Sequence, residues 1–286
     1  MFRNFSKIFY YLVKIIDKLI FFLSRKSIIS NFKDFINNDS YKSINIEKKE
    51  IKFFIPNTVT EWRVDTLLSK EPETIKWIDE FDGEKKIFWD IGANVGIYSI
   101  YAVVKHQNIE VVSFEPSFSN LRTLSRNISI NNLEDQITIF PLPLSNTDNK
   151  FQMMEESEFI EGWSMNSFGT GLNFEGKDFK SKNKYKIYGC SINKILNDRI
   201  LKKPNFLKID VDGIEHLILE GAHDYLADKE LKSILVEINE NFKDQFEGVL
   251  NILKKSNFKF IEKKQGKELA RSKKFNKTFN YFFKKV

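Results

Sequence analysis

The residues best placed to do chemistry lie in Asp90-Ile91-Gly92-Ala93-Asn94-Val95-Gly96, which follows the apolar run Ile87-Phe88-Trp89, and in Glu115, which closes a second apolar run. A buried parallel strand ending in a glycine-rich turn lets backbone N–H groups approach a ligand closely, because a Cβ there would block the approach or forbid the backbone angles. An acidic side chain at the tip of the next strand can accept hydrogen bonds from both hydroxyls of a ribose. The step from Gly96 to Glu115 is close to the roughly 20-residue interval such sites use. The turn reads Gly-x-Asn-x-Gly with an Asp two residues ahead, not the G-x-G-x-x-G that seats a pyrophosphate on a helix N-terminus. A carboxylate at Asp90 would repel a pyrophosphate but suits a cofactor with a cationic amino-acid end, met directly or through water. S-adenosylmethionine fits that description. An ordinary strand-to-helix turn would account for the glycines alone; Glu115 weighs against it.

A second group of charged residues surrounds Phe206-Leu207-Lys208-Ile209-Asp210. Strand alternation puts Phe206, Lys208 and Asp210 on one face, and a central strand should be apolar on both. Lys208 is out of place unless paired, and Glu237 in the run Ile234 to Asn239 is the expected partner near the C-terminal sheet edge. Asp210, Asp212, Glu215 and His216 gather where the strand gives way to a helix, with Gly213 permitting the turn. Asp210, Asp212, Glu237 and Asn239 also offer oxygen ligands of the kind Mg²⁺ takes. Oxygen-rich strand ends are common without metal, so no metal site is expected. His216 reads as a packing residue, although a histidine base would be chemically attractive.

In order and spacing, Asp90 to Gly96, Phe114-Glu115-Pro116, Pro143-Leu144-Ser145, Lys208 to Glu215 and Val236-Glu237 resemble the successive motifs of the FkbM family of S-adenosylmethionine-dependent methyltransferases, across residues 60 to 245. The resemblance implies an α/β class I methyltransferase (Rossmann-like) fold, a mainly parallel seven-stranded sheet with helices on both faces. It also implies methyl transfer, in characterised members usually to a hydroxyl of a sugar or natural product. Asp90, Gly92, Asn94 and Gly96 would then shape the amino-acid end of the cofactor and Glu115 its ribose, with Pro116 and Leu144 flanking the adenine and Ser145 at its edge. The strand edge at Asp210 would face the methyl donor. Asp210 is therefore the first choice for positioning or deprotonating the acceptor hydroxyl and Glu237 the second, with Lys208 set among them. A normal carboxylate is a poor base for an alcohol, so raised pKa values or simple alignment would carry much of the work. Arg63 is expected near the acceptor, and Glu71 and Thr74 close over the same site. Asn193 and Asp212 depart from the residues frequent in the family, which bears on acceptor specificity and removes no cofactor group. A non-catalytic nucleotide-binding or membrane-associated scaffold and an NAD-dependent oxidoreductase stand as alternatives.

The elements that must hold these residues alternate along the middle of the chain, which predicts a mainly parallel sheet. Strands are expected over 87–91, 110–115, 136–141, 205–210 and 232–238, and helices over 73–81, 95–106, 117–131, 191–200, 213–227 and 243–256. Residues 146 to 190 break the alternation. Lys150 to Met154 and Tyr185 to Tyr188 read as short strands around a long Gly-, Ser- and Asn-containing excursion, a candidate substrate loop in which Trp163 and Phe168 would stack on a sugar or close the pocket.

At 286 residues and 42% hydrophobic content the chain can bury one substantial core. Cys190 is its only cysteine, which excludes an intramolecular disulfide and a cysteine-rich zinc framework and agrees with a cytoplasmic location. The net charge of +6 is concentrated at the C-terminal end, where residues 263–286 hold nine basic side chains against Glu268 alone. These residues are expected to form a basic aromatic tail beyond a methyltransferase domain at 56–262, with an N-terminal amphipathic extension at 1–55. Lys7, Lys14, Asp17 and Lys18 interrupt the apolar stretch Met1 to Leu23, so it is expected to form an amphipathic helix and not a membrane span or signal peptide. Both termini suit peripheral contact with the inner face of a membrane or packing on a partner. No recognition motif points to specific nucleic-acid binding. The acceptor is expected to be a small molecule or glycan, and nothing in the residue pattern specifies an oligomeric state.

Overall fold

The computed structural model describes residues 2–286, the side chain of residue 268 excepted. It divides into two units, residues 1–42 and 43–286. The first holds helices α1 (Phe2–Ser24) and α2 (Ile29–Asp39), joined by a turn in which Asp17 accepts from the Ser27 hydroxyl at 2.8 Å and the Ile28 N–H at 2.7 Å.

After α2 come the hairpin β1 (Tyr41–Ile46) and β2 (Lys49–Phe54), then α3 (Thr58–Asp65) and α4 (Pro72–Asp79). The α3 N-terminus is a capping box in which the Asn57 side chain accepts from the N–H groups of Val59 and Thr60. The alternating core runs β3 (Lys86–Ile91), α5 (Ile97–Lys105), β4 (Ile109–Phe114), α6 (Phe118–Ser129) and β5 (Ile137–Phe140). A separate three-stranded antiparallel sheet follows, from β6 (Lys150–Glu156), β7 (Asn166–Phe168) and β8 (Asn183–Gly189). The chain then returns through α7 (Ile192–Asn197), β9 (Phe206–Ile209), α8 (Glu215–Glu220), α9 (His223–Leu226), β10 (Ser233–Asn239) and α10 (Lys243–Lys255), and ends in β11 (Phe258–Lys264), α11 (Lys267–Arg271) and β12 (Thr278–Lys285).

The main sheet has seven strands in the order β11-β12-β10-β9-β3-β4-β5. From β10 to β5 all neighbours pair in parallel, and β12 runs antiparallel between β10 and β11. This is the expected α/β class I architecture. Its two faces carry two apolar cores. Trp89, Ile91, Leu207, Ile209 and Val236 face one side, and Phe88, Phe206, Leu235 and Phe282 face the other. The expected strands and helices of residues 73–256 are present within a few residues. The exception is 213–227, which divides at Gly221 into α8 and α9 because the chain there packs so close to the Ser145 carbonyl that a Cβ would lie 2.2 Å from its oxygen.

The expected tail at 263–286 is not a tail. β12 inserts into the sheet and buries Tyr281, Phe282 and Phe283. The charge pattern is misleading because the basic residues are concentrated ahead of the strand and at its end, while the aromatic residues between them fill both sheet faces. The compact unit that contains the sheet accordingly spans residues 43–286. Phe283→Ala should destabilise the protein by about 3–5 kcal/mol in urea unfolding, whereas Lys277→Ala on the exposed approach to β12 should change stability by less than about 0.5 kcal/mol.

Candidate functional site

The glycine-rich turn leaves the C-terminal end of β3. Gly92 has φ +85°, and a Cβ on it would lie 1.9 Å from the Asp210 carbonyl oxygen. The glycine therefore permits close approach of the loops after β3 and β9, a stronger demand than access for a ligand. The next residues bend toward β4: the Asn94 N–H donates to Glu115 Oε2 and the Ser117 N–H to Glu115 Oε1, both at 2.8 Å. Glu115 is 3% exposed. Burial pushes its pKa up to about 7, against the pull of those two N–H groups.

Glu115 borders a cavity of about 570 Å³. Gly92, Asn94 and Asp212 form its polar wall, and Phe114, Leu144, Met154, Phe168, Ile214 and Ile218 its apolar one. Pro116 lines it as well. Ser145 does not border the cavity; its hydroxyl meets Thr147 Oγ1 at 3.0 Å in the following turn. Phe168, expected on the acceptor, is 5% exposed in β7 and belongs to the apolar wall. A polar rim with two carboxylates over an apolar slot suits a nucleoside. Asn94 Oδ1 adds a buried acceptor with no hydrogen-bond partner among the described residues, as a ligand bearing an N–H donor would require.

Asp90 occupies a different place from the one its sequence position suggested. It is fully buried and borders neither neighbouring cavity. Its Oδ2 accepts from the Ser99 hydroxyl at 2.7 Å, and Ser113 donates to Ser99 at 2.7 Å, so Asp90 ties β3 to α5 and β4. Its other oxygen lies 3.7 Å from Lys208 Nζ. Burial raises the Asp90 pKa, with Lys208 opposing.

Lys208 is 1% exposed and contacts Asp210 Oδ2 at 2.9 Å. Its Nζ lies 5.3 Å from the centre of the Tyr98 ring. Burial works against the ammonium, yet Asp210, Asp90 and Glu71 together hold its pKa above the ordinary lysine value. The expected Lys208–Glu237 ion pair is not formed. Parallel register pairs Lys208 with Leu235 on one side and Asp90 on the other, and brings Glu237 level with Asp210. Burial, then Asp210 and Glu71, raise the Glu237 pKa well above the usual carboxylate range.

A second cavity of about 440 Å³ shares Gly92 and Asn94 with the first and is bordered by Arg63, Lys70, Tyr98, Lys208 and Asp210. The Tyr98 hydroxyl donates to Glu71 Oε2 at 2.9 Å, and Lys70 Nζ to Glu71 Oε1 at 2.5 Å. Glu71 is thus fixed behind the cavity, with Thr74 donating to it at 3.4 Å. Arg63 Nε donates to the Gly162 carbonyl. No carboxylate pairs with Arg63 among the described residues.

Pattern reading did not anticipate how the excursion between β6 and β8 is fastened. Asp212, at φ 66°, accepts from the N–H groups of Met165 at 2.7 Å and Asn166 at 3.2 Å. Burial and the neighbouring Asp210 push its pKa up to about 6. The Trp163 carbonyl accepts from Asn94 Nδ2 at 3.2 Å and Asn120 Nδ2 at 3.3 Å. The Trp163 ring donates to Ser157, and the residue borders a third cleft of about 650 Å³ with Trp62, Arg63, Met165 and Phe275. Backbone carbonyls and N–H groups leave no residue-type signature, so only the unusual Asp212 hinted at this latch. Glu215 caps the same turn, accepting from the Val211 N–H at 3.0 Å, and His216 packs against Gly248 and Phe242. The Asn239 side chain is spent on Phe174 O and the Asn241 N–H. Among the described residues no three His, Cys, Asp or Glu side chains group closely enough to hold a metal ion.

The sequence model of the family described as Methyltransferase FkbM domain matches residues 90–260. The Hexuronic acid methyltransferase AglP of Haloferax volcanii is 22% identical over 196 residues, covering 66% of this chain and 70% of that protein. Among solved structures, precorrin-6y C5,15-methyltransferase from Geobacter metallireducens is similar with a TM-score of 0.44 and 13% identity, over 76% of this chain and 87% of that one. An rRNA methylase from Streptococcus thermophilus has a TM-score of 0.45 and 12% identity, over 75% and 95%.

The site gives two expected outcomes. Glu115 takes up a proton as pH falls through about 7, and a ribose at this site would be held by the carboxylate. Calorimetric affinity for S-adenosylhomocysteine should therefore fall below pH 7 by up to about tenfold per unit, and Glu115→Gln should bind weakly with that part of the pH dependence gone. Lys208→Met strands Asp90 and Asp210 without their cation and should cost about 3–5 kcal/mol in urea unfolding. Adding Asp90→Asn should restore part of that loss.

Proposed function

The chain belongs to the FkbM methyltransferase family, and from that premise we propose that it methylates a hydroxyl oxygen of a glycan on a sugar that carries an acidic group. It is an S-adenosylmethionine-dependent methyltransferase, which sets aside the oxidoreductase and the non-catalytic scaffold. The observation that carries the proposal is the shared wall of Gly92 and Asn94, which separates the apolar-lined cavity beside Glu115 from one holding Asp210 and Arg63.

When bound, S-adenosylmethionine supplies a methyl group on a sulfonium, already activated for in-line transfer. Glu115 holds the ribose hydroxyls with the lone pairs not given to Asn94 and Ser117. Phe114, Leu144 and Phe168 enclose the base. Asn94 Oδ1 and the main chain at Gly92 meet the amino-acid end. Asp210, one oxygen pinned by Lys208, orients the acceptor hydroxyl and takes its proton. Glu237, level with Asp210 on the neighbouring strand and raised in pKa by burial, is the second candidate for that role. Much of the rate comes from alignment, since a held near-attack geometry can contribute several kcal/mol.

Arg63 borders both the Asp210 cavity and the third cleft, and so links them. Trp62, Trp163 and Phe275 offer that cleft the flat apolar surfaces on which sugar rings stack, and the unpaired guanidinium offers a bidentate donor for a carboxylate. The name of the Haloferax volcanii relative, a hexuronic acid methyltransferase, supports an acidic sugar.

The test is methyl transfer from labelled S-adenosylmethionine to matched neutral and uronic acid-containing oligosaccharides, read by mass spectrometry. Acidic acceptors should be methylated preferentially. Arg63→Leu should raise their KM by about 10- to 100-fold, as the loss of charged hydrogen bonds predicts, with S-adenosylhomocysteine affinity unchanged. Equal turnover of both acceptor classes would sink the acidic-sugar reading. A loss confined to cofactor affinity would place Arg63 on the amino-acid end instead.

A further inference from the structure

The N-terminal unit presents a feature that methyl transfer does not use. α1 is 23 residues long and has no buried residue. At 3.6 residues per turn, Phe5, Ile8, Leu12, Ile15, Ile16 and Leu19 fall within one half of the helix circumference, and each is at least 50% exposed. Arg3, Lys7, Lys14 and Lys18 fall on the other half. α2 contacts α1, and Val13, Asp17 and Ile20 at one margin of the apolar half are half-buried while the centre of that half stays open.

Charge identifies what covers the open half. Residues 2–26 hold six basic side chains and one acidic one, Asp17. The Ser27 hydroxyl and the Ile28 and Ile29 N–H groups engage that carboxylate and hold its pKa below the usual value. The helix thus joins an apolar face to a cationic one with its single acid turned inward to the α1–α2 turn. No helix among the described residues is long and apolar enough to cross a membrane. An in-plane helix needs no such span, only an apolar face and a basic polar one. The C-terminal aromatic residues are committed to β12 and do not take part.

We propose that α1 lies in the interface of an anionic lipid membrane, with its apolar half among the acyl chains and Lys7, Lys14 and Lys18 at the headgroups, tethering the methyltransferase unit to that surface. The proposal is independent of which acceptor the enzyme methylates, and its test requires no turnover.

The full chain is mixed with phosphatidylcholine vesicles with and without phosphatidylglycerol, and bound protein is measured by flotation. The wild type should float with anionic vesicles and at least tenfold less with neutral ones. Lys7→Gln/Lys14→Gln/Lys18→Gln should bind anionic vesicles about 100-fold more weakly, at roughly fivefold per charge removed. Ile8→Glu/Ile15→Glu should abolish binding. Both variants should retain wild-type affinity for S-adenosylhomocysteine, which shows that the second unit is folded. Absence of wild-type binding to anionic vesicles would overturn the proposal. So would an Ile8→Glu/Ile15→Glu protein that floats normally but has lost a self-association seen in the wild type, because the apolar face would then join two copies of the chain.

Discussion

One ammonium sealed inside the sheet organises the catalytic end of this molecule. Lys208 sits on a central strand at 1% exposure, and a buried cation costs several kcal/mol unless carboxylates meet it. Asp210 meets it directly from the end of its own strand, Asp90 reaches it from β3, and Glu71 adds its charge from the N-terminus of α4. Each carboxylate passes the constraint on. Asp90 fixes α5 and β4 through Ser99 and Ser113, and Glu71 fixes Tyr98 and Lys70. The turn carrying Gly92 and Asn94 is thereby held from both sides before any ligand arrives.

The excursion over the site is fastened on a different principle. Asp212 binds two backbone N–H groups, two asparagines bind one backbone carbonyl, and Arg63 binds another. The sheet β6-β7-β8 supports the ends of the excursion. Main-chain anchoring places few demands on the side chains of the loop itself. Trp62 and Phe275 can therefore shape the third cleft without also having to hold the loop in place, while Trp163 does both through its bond to Ser157.

This division explains what the sequence made legible. Strand and helix positions were readable because burial on both sheet faces imposes continuous apolar runs, and the position of Glu115 at the end of β4 was readable because its interval from Gly96 follows from one turn, one helix and one strand. Lys208 was recognisable as a misplaced charge, but its partners Asp210 and Asp90 were not, since what reaches its ammonium depends on which strands are neighbours and in what register. The role of Phe168 and the latch at Asp212 were hidden because both depend on where a loop folds back. β12 was misread for a related reason. Its lysines cluster at its margins, and the chain segment closing the sheet between β10 and β11 carries no periodicity that separates it from a basic tail.

The same charges bear on why the site suits a sulfonium cofactor over a dinucleotide. The turn motif first suggested that Asp90 makes this choice, yet its carboxylate is spent on Ser99 and Lys208 and borders neither cavity. The selective charge lies further along, where Glu71, Asp210, Asp212 and Glu237 crowd against Arg63, Lys70 and Lys208. The raised pKa values of Asp212 and Glu237 record that crowding together with burial. A pyrophosphate brought to this edge would add negative charge where two carboxyls already resist ionising. A ligand with a cationic end would relieve the same repulsion, and carboxylates that it does not touch would then add to its affinity. Selection for a sulfonium cofactor would in this way rest on the whole strand edge built around Lys208, with the glycine-rich turn supplying the shape.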